Sequence, residues 1–222
     1  MAPFINIHTH HKTNAKEVQV IVLSPQEWKS NNYSEGELYS VGIHPWHSNA
    51  GNLAEQITWL EEALQKKNVL MLGEAGLDRS TAIPLEEQKS VLIPQLELAK
   101  RYSKPLIFHA VRSIPDILSV YRQSNIQQPF IIHGFIGKPE AVQQLHKANG
   151  YVSFGAKIID NRSWDKALIE AYELNNLFFE TDEAKIPVEH VYHKAAEVIE
   201  INVATLKEQV FSYFCSVFGK IV

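Results

Sequence analysis

The sequence has 222 residues, of which 45% are hydrophobic and 21% charged, and its formal net charge is -4. This hydrophobic content supports one sizeable core and excludes intrinsic disorder, and the mild acidity argues against a broad basic surface that grips duplex DNA. A single cysteine, Cys215, excludes an internal disulfide and fits a reducing compartment. The first residues lack the charged and apolar regions of a signal peptide, and no apolar run approaches the ~20 residues of a membrane helix. We therefore expect a cytoplasmic protein without membrane contact.

Eight short apolar runs, taken in chain order, predict eight β-strands. Each run is rich in Val, Ile, Leu or Phe and lacks clean alternation of polar and apolar residues, which is typical of strands buried on both faces of a parallel sheet. The predicted strands are Phe4–His8, Val18–Leu23, Leu38–Ile43, Val69–Gly73, Leu106–His109, Phe130–His133, Gly150–Phe154 and Leu177–Thr181.

Longer stretches with apolar residues at helical spacing lie between these runs. The predicted helices are Leu53–Lys67, Glu86–Tyr102, Pro115–Gln123, Pro139–Ala148, Asp165–Leu174, Val188–Glu200 and Val203–Phe218. Two of them begin with a proline, which the first turn of a helix tolerates. The segment Lys12–Glu17 after the first strand leaves room for only one helical turn.

Repeated alternation of strand and helix predicts an α/β fold, a TIM-type (β/α)8 barrel. The usual barrel has ~250 residues, so this one would be trimmed. Because no linker-like or low-complexity tract divides the chain, we expect one domain over residues 1–222. An open, doubly wound sheet is the structural alternative.

Six polar residues fall at the C-terminal ends of predicted strands, the edge at which barrel enzymes carry their active sites. They are His8 and His10 after the first strand, Glu74 after the fourth, His109 at the fifth, His133 at the sixth and Asp182 after the eighth. A lone histidine at a strand end is more often structural. Burying the whole set without a metal would cost several kcal/mol in unpaired polar groups, however, so the conjunction indicates a metal site.

Imidazole and carboxylate ligands together suit Zn, Mn, Fe or Co, and Mg where carboxylate and water dominate. His8 and His10 lie two apart on an extended segment, so their side chains point to one side and suit one cation. Two cations ~3.5–4 Å apart can share a carboxylate, clamp a phosphoryl group and supply hydroxide at neutral pH. We therefore expect one or two divalent metal ions, with Mg, Mn and Zn as the candidates.

Further polar residues follow other predicted strands. His44 is a candidate for contact with the substrate, and Arg112 and Lys157 are candidates for contact with a phosphate, although each charge alone is more often an ordinary surface group. Asp78 is a candidate partner for a metal-ligating histidine or a cap of the following turn. Trp46 can stack on a base, but a packing role is the commoner use of such a residue.

The order of these motifs resembles the TatD family of metal-dependent deoxyribonucleases, within the wider amidohydrolase-like barrels. The resemblance runs over nearly the whole chain and identifies a short-chain subgroup. It rests on Ile5–His10, Val41–Pro45, Gly73–Asp78, Pro105–His109, Ile132–Phe135, Gly150–Gly155 and Phe179–Asp182.

The resemblance implies a role for each matching residue. It implies that His8, His10 and Asp182 hold a first cation, that Glu74 bridges to a second, and that His109 and His133 hold the second. Asp182 is also implied to take a proton from the attacking water, so that Asp182 and Glu74 are the catalytic carboxylates.

Several positions depart from the family pattern. Asn6 stands where the family usually has Asp, the segment after His10 is shorter than usual, and Arg112 lies three residues after His109 where an arginine two residues after is common. The segment 183–186 lacks a common proline, and the tail Phe211–Phe218 differs from the usual end. These departures bear on substrate preference more than on metal binding.

The leading functional hypothesis is a metal-dependent phosphodiesterase that acts as a 3′-to-5′ deoxyribonuclease on single-stranded DNA or another nucleic-acid end, as a monomer. One alternative keeps the barrel and the metals but hydrolyses an ester, an amide or a D-aminoacyl-tRNA. Glu74 fills the strand-four position where several amide-cleaving relatives carry a carboxylated lysine, which favours the phosphodiesterase. A second alternative is a metal-binding protein without turnover.

Overall fold

The computed structural model describes residues 2–13, 16–30, 33–48, 50–160 and 162–219. All eight predicted strands are present, and they are numbered β1 to β8 in chain order. They span Phe4–Thr9, Glu17–Leu23, Leu38–Val41, Val69–Asp78, Leu106–Val111, Phe130–Ile132, Gly150–Phe154 and Leu177–Phe179. The single helical turn predicted for Lys12–Glu17 falls partly on residues 14 and 15, which lie outside the described residues.

The seven predicted helices are confirmed, with ends that differ by at most three residues from the predicted ones. They are α2 to α8, over Leu53–Leu64, Leu85–Arg101, Ile114–Gln123, Pro139–His146, Asp165–Glu173, Val188–Ile199 and Val203–Phe218. An additional short helix, α1, spans Pro25–Lys29, and its first turn is fixed by a reciprocal capping box between Ser24 and Glu27. Short 3-10 turns occupy Pro45–His47, Ala50–Asn52, Ala156–Ile158 and Arg162–Trp164.

The eight strands form one sheet in the sequential order β1 to β8. Sequential parallel strands joined by helices are the arrangement of a (β/α)8 fold. No helix within the described ranges is both long enough and apolar enough to cross a membrane. Close contacts divide the chain into two compact units, residues 1–21 with 131–222 and residues 22–130, and the single domain expected over residues 1–222 stays a prediction.

In the unit made of residues 1–21 and 131–222, β1 pairs in parallel with β2 and is joined to it without a full crossover helix. The helices α7 and α8 cover β1. Tyr192 of α7 is fully buried; its hydroxyl donates to the carbonyl of Ile5 at 3.1 Å and accepts from the Ile5 amide at 3.2 Å. From α8, Lys207 Nζ lies 4.4 Å from the centre of the Phe4 ring, and Glu208 accepts a hydrogen bond from the amide of Ala2 at 2.9 Å. Residues about 200 positions apart therefore hold the strand that carries His8.

In the unit made of residues 22–130, β4 pairs in parallel with β3 and β5. β4 continues five residues beyond its predicted end because the segment from Ala75 to Asp78 pairs with the segment from Phe108 to Val111. Gly73 and Gly76 allow this close approach. Both have φ values that favour glycine, and a Cβ atom at either position would overlap a carbonyl oxygen of β5.

Candidate metal and active site

Backbone hydrogen bonds join the end of β1 to the segment after β8. The amides of Thr181 and Asp182 donate to the carbonyl of His8 at 3.3 and 3.1 Å, and the amide of His10 donates to the carbonyl of Asp182 at 3.1 Å. Asp182 has a φ of 54°, in the left-handed region, which non-glycine residues seldom occupy outside functional sites and turns. This local pairing fixes three predicted ligands, His8, His10 and Asp182, at one edge.

The ligand atoms of these three residues surround a common point. The Nε2 atoms of His8 and His10 each lie 3.6 Å from the same oxygen, Oδ1 of Asp182. One ligand atom from each residue lies within 4.8 Å of the others, as a shared metal ion requires. His8 is fully buried, whereas the carboxylate of Asp182 is 37% exposed. Two imidazoles and one carboxylate, with one side open to water, suit a catalytic cation of the Zn or Mn type.

His133 is held by a buried carboxylate that the sequence did not single out, Glu180. Oε1 of Glu180 accepts a hydrogen bond from the Gly134 amide at 2.8 Å and lies 3.4 Å from Nδ1 of His133. Oε2 accepts a hydrogen bond from the hydroxyl of Ser153. Glu180 is fully buried, and a buried carboxylate needs such partners. Nδ1 of His133 faces Glu180, and a carboxylate beside one ring nitrogen orients the imidazole of a metal ligand.

His133, Glu180 and Asp182 also form a second group whose ligand atoms lie within 4.8 Å of one another. The ring of His133 lies 4.2 Å from that of His8, centre to centre. The sequence did carry a signal for Glu180, because this glutamate directly follows the apolar run Leu177–Phe179 and so lies at the end of a buried strand. A glutamate in such a place is rarely buried unless it is paired. Its partners, at positions 134 and 153, are too distant in sequence to be read from a local pattern.

In the unit of residues 22–130, Glu74 lies between two histidines. Its Oε1 is 2.7 Å from Nδ1 of His109 and 3.2 Å from Nε2 of His44, and these three residues form a third group that can hold a metal ion. Register explains the contact between Glu74 and His109, because His109 of β5 pairs with Gly76, two residues beyond Glu74 on β4. Glu74 is only 4% exposed, so its charge requires partners of this kind.

Asp78 holds the other nitrogen of His109. Its Oδ2 lies 3.2 Å from Nε2 of His109 and accepts a hydrogen bond from the indole N–H of Trp46 at 2.6 Å. Its Oδ1 accepts from the amide and the hydroxyl of Ser80 at 2.7 and 2.5 Å. Burial opposes the charged form of Asp78, but the hydrogen bonds from Ser80, Trp46 and His109 prevail and lower its pKa to about 2. His109 therefore faces Glu74 with Nδ1 and an ionised Asp78 with Nε2, which is the carboxylate–histidine arrangement expected around a metal ligand.

His44 is oriented by its own loop. Its Nδ1 accepts a hydrogen bond from the backbone amide of Trp46 at 3.2 Å, so a neutral His44 carries its proton on Nε2, toward Glu74. Burial lowers the pKa of His44 below its usual value, although the hydrogen bond and charge of Glu74 act in the opposite direction. His44, predicted as a substrate contact, is thus placed beside a predicted metal ligand.

The two predicted cationic contacts lie at strand ends. Lys157 is exposed in the turn after β7, and it lines a cavity of about 160 Å³ together with Asp182, Phe135, Ile158 and Trp164. Arg112 is exposed directly after β5 and has a φ of 52°. The structure therefore brings Lys157 to the same cavity as a predicted metal ligand. The phosphate-binding roles of both residues stay predictions, as does the bridging role of Glu74.

Two relatives and one solved structure show what the chain is similar to. It is 28% identical over 146 residues to the uncharacterized metal-dependent hydrolase YabD of Bacillus subtilis, an alignment that covers 64% of this chain and 57% of YabD. It is 28% identical over 165 residues to the deoxyribonuclease TATDN3 of Homo sapiens, covering 69% of this chain and 60% of TATDN3. The chain thus spans less than two thirds of the length of these curated relatives.

The crystal structure of YjjV, a TatD homolog from Escherichia coli K12, matches with a TM-score of 0.82 at 19% identity, over 97% of both chains. Together with the strand order, this likeness confirms the predicted (β/α)8 barrel class. A family model described as TatD related DNase matches residues 6–219. The resemblance seen in the sequence is therefore confirmed, and the chain belongs to the TatD related DNase family.

Proposed function

We propose that the chain is a metal-dependent phosphodiesterase that removes nucleotides from the 3′ end of single-stranded DNA. The observation that carries this proposal is the convergence of His8 and His10 on one carboxylate oxygen of Asp182, each at 3.6 Å. Membership of a family described by its DNase activity supports the choice of a phosphodiester bond, as does the name of the human relative, a deoxyribonuclease.

The donor groups fit divalent cations. His8, His10 and Asp182 would hold one ion, and Glu74, His109 and His133 are the proposed ligands of a second. In each case imidazole nitrogens are combined with carboxylate oxygen, the set that Zn and Mn bind readily. When bound, a divalent cation polarises a phosphoryl oxygen and supplies hydroxide at neutral pH by lowering the pKa of water.

The remaining chemistry falls to side chains of this protein. Asp182, whose carboxylate is partly exposed, accepts the proton of the attacking water as the new P–O bond forms and the ester P–O bond breaks. The leaving oxygen takes up a proton from solvent water and departs as a hydroxyl, and the protonated Asp182 returns its proton to solvent. Lys157 lines the cavity that Asp182 also lines, so its ammonium group can neutralise charge on the phosphate. Arg112 is the proposed second cationic contact.

Carboxylates that touch the histidines keep them in place. Glu180 faces Nδ1 of His133 and Asp78 faces Nε2 of His109, so these contacts fix the orientation of each ring. His44 donates from Nε2 to Glu74, and this hydrogen bond fixes one carboxylate oxygen in orientation. Within each unit, these contacts between protein groups orient the candidate ligands before a cation binds.

The test is a cleavage assay on 5′-labelled single-stranded DNA with Mg²⁺, with Mn²⁺ and with excess chelator. We expect a ladder that shortens from the 3′ end, only when metal is present, and its loss in Asp182→Asn, which keeps the volume of the side chain. Glu86→Gln is the matched control, because Glu86 is an exposed carboxylate on α3. Cleavage that persists in chelator, or in Asp182→Asn, would overturn the proposal.

Absence of cleavage by a folded, metal-loaded protein would also overturn it and would direct attention to the ester, amide or D-aminoacyl-tRNA alternatives. Stoichiometric metal binding without hydrolysis of any of these substrates would identify a protein without turnover. The monomeric state and the cytoplasmic location stay predictions.

A further inference from the structure

Trp46 exposes an unusual amount of aromatic surface. It is 58% exposed, and among the described residues only Ile93 and Ile136 are comparably exposed large hydrophobic side chains. The packing role that such a residue usually has does not account for a residue that is more than half exposed. Exposed aromatic surface of this kind is commonly used for binding, since an aromatic ring contributes a large contact area.

The exposed ring is nevertheless fixed in place. Its indole N–H donates to Oδ2 of Asp78 at 2.6 Å, and Asp78 is itself fixed by two hydrogen bonds from Ser80. The backbone amide of Trp46 donates to Nδ1 of His44, and the buried Pro45 begins the turn. The ring thus offers a flat surface whose orientation is set before any ligand arrives, which reduces the entropic cost of binding.

The fixed ring lies beside a group of predicted metal ligands. Its centre is 4.9 Å from that of His44 and 5.9 Å from that of His109, and both histidines contact Glu74. The indole is therefore one side chain removed from Glu74, through His44 and through His109. A flat aromatic group is the ligand that such a surface recognises, and in a DNA end that group is a nucleobase.

We propose that Trp46 is the stacking platform for the nucleobase next to the phosphodiester bond that is cleaved. This inference rests on the proposed function, because it takes a DNA end as the ligand. Stacking tolerates any base, since every base has a π-face. Trp46 is accordingly a substrate-positioning residue that strengthens binding without selecting a sequence.

The first experiment pairs changes in the protein with changes in the substrate. Native protein, Trp46→Ala and Trp46→Phe are compared on matched oligonucleotides that carry a base or an abasic sugar at the terminal or penultimate 3′ position. We expect Trp46→Ala to lower kcat/KM by about 5- to 150-fold, the equivalent of ~1–3 kcal/mol of stacking, mainly through KM. Trp46→Phe retains most of the binding. Ile93→Ala, which removes an exposed apolar side chain from α3, leaves both parameters unchanged.

The decisive result is non-additivity. Removing the base at the stacked position lowers kcat/KM of the native protein but has no further effect in Trp46→Ala, because both changes remove the same contact. Equal loss in Trp46→Ala and Trp46→Phe would show that the hydrogen bond to Asp78, and not stacking, is what matters, and would overturn the platform. Independent, additive losses would overturn it as well. A thermal unfolding midpoint for each variant separates these effects from misfolding.

Binding in chelator separates this inference from the proposed function. The affinity of the same oligonucleotides is measured by fluorescence anisotropy without metal, where no cleavage occurs. If native protein does not hydrolyse DNA, yet Trp46→Ala weakens binding of DNA with the base at least fivefold and leaves binding of the abasic DNA unchanged, the platform stands and the proposed reaction is wrong. Equal affinity of native protein and Trp46→Ala would show that the platform is wrong, whatever the outcome of the cleavage assay.

Discussion

Removal of Glu180 is expected to weaken both the fold and the metal site. The carboxylate is fully buried and accepts hydrogen bonds from the Gly134 amide and the Ser153 hydroxyl, while it faces Nδ1 of His133. Hydrogen bonds to a charged group contribute ~1.5–3 kcal/mol each, and a buried donor left unpaired costs ~1–3 kcal/mol. For Glu180→Ala we expect a loss of ~3–5 kcal/mol in the free energy of unfolding, which is a large share of the stability of a typical domain.

Glu180→Gln separates the charge from the volume of the side chain. The amide oxygen can still accept one hydrogen bond, so we expect a smaller loss of ~1–3 kcal/mol. The orientation of His133 is weakened, and loss of such a partner typically lowers metal affinity by ~10–100-fold. Urea unfolding in the absence of metal measures the first effect, and calorimetric titration with Mn²⁺ measures the second.

Glu86→Ala is the control, because removal of this exposed carboxylate on α3 should change stability by no more than ~0.5 kcal/mol. Native affinity for Mn²⁺ in Glu180→Gln would refute the idea that Glu180 orients a metal ligand. A loss of less than ~1 kcal/mol in Glu180→Ala would refute the energetic argument, since the hydrogen bonds would then contribute little net stability.

Three further predictions concern other parts of the chain. Gly76→Ala should lower the free energy of unfolding by at least ~2 kcal/mol in urea titrations, because the new Cβ overlaps the carbonyl oxygen of His109. Gly36→Ala is the control, because Gly36 has open space around it, and its free energy of unfolding should stay within ~0.5 kcal/mol of the native value. Equal losses in the two variants would contradict this prediction. Saturating Mn²⁺ at about 100 times its Kd should add ~2.7 kcal/mol to stability, and chelator or Asp182→Asn should remove most of this gain in thermal unfolding; an unchanged gain in Asp182→Asn would exclude that ligand. Burial raises the pKa of Tyr213 to about 12, so its neutral hydroxyl stabilises the fold fully below pH 10 and this contribution is lost as pH rises toward 12. The difference in the free energy of unfolding between native protein and Tyr213→Phe should therefore shrink over that range, and a constant difference would contradict the raised pKa.

The strands and long helices could be predicted because their signals are local. Runs such as Val69–Gly73 are apolar on both faces, and helices such as α8 keep their apolar residues at helical spacing. The extension of β4 to Asp78 was missed because glycine usually ends a strand pattern. Here Gly73 and Gly76 permit the approach of β5 instead, and only the partner strand reveals that.

The strand-end rule placed the candidate ligands because it depends on topology alone. It missed Glu180, although this residue directly follows β8, because the predicted eighth strand continued to Thr181. The partners of Glu180 lie 27 and 46 residues away in the sequence. The rule also could not decide the role of Trp46, since the exposure of this residue and its hydrogen bond to Asp78 depend on how the turn Pro45–His47 meets the end of β4. Helix α1 carried a usable signal, the Ser24–Glu27 capping box, but a five-residue helix offers too little periodicity to be predicted with it.

The packing of α7 and α8 over β1 has a consequence for how the chain folds during its synthesis. A ribosome releases the strand bearing His8 before α8, and the α8 carboxylate that accepts a hydrogen bond from the amide of Ala2 follows 206 residues later. Contacts this distant in sequence form late, since closing a long loop costs entropy that only the finished packing offsets. The emerging chain therefore carries an incompletely covered apolar strand until α7 and α8 have been made. Chaperone binding to nascent chains should consequently persist until Val203–Phe218 has left the ribosome, and the edge that carries the candidate ligands His8, His10 and Asp182 should be completed only after that point.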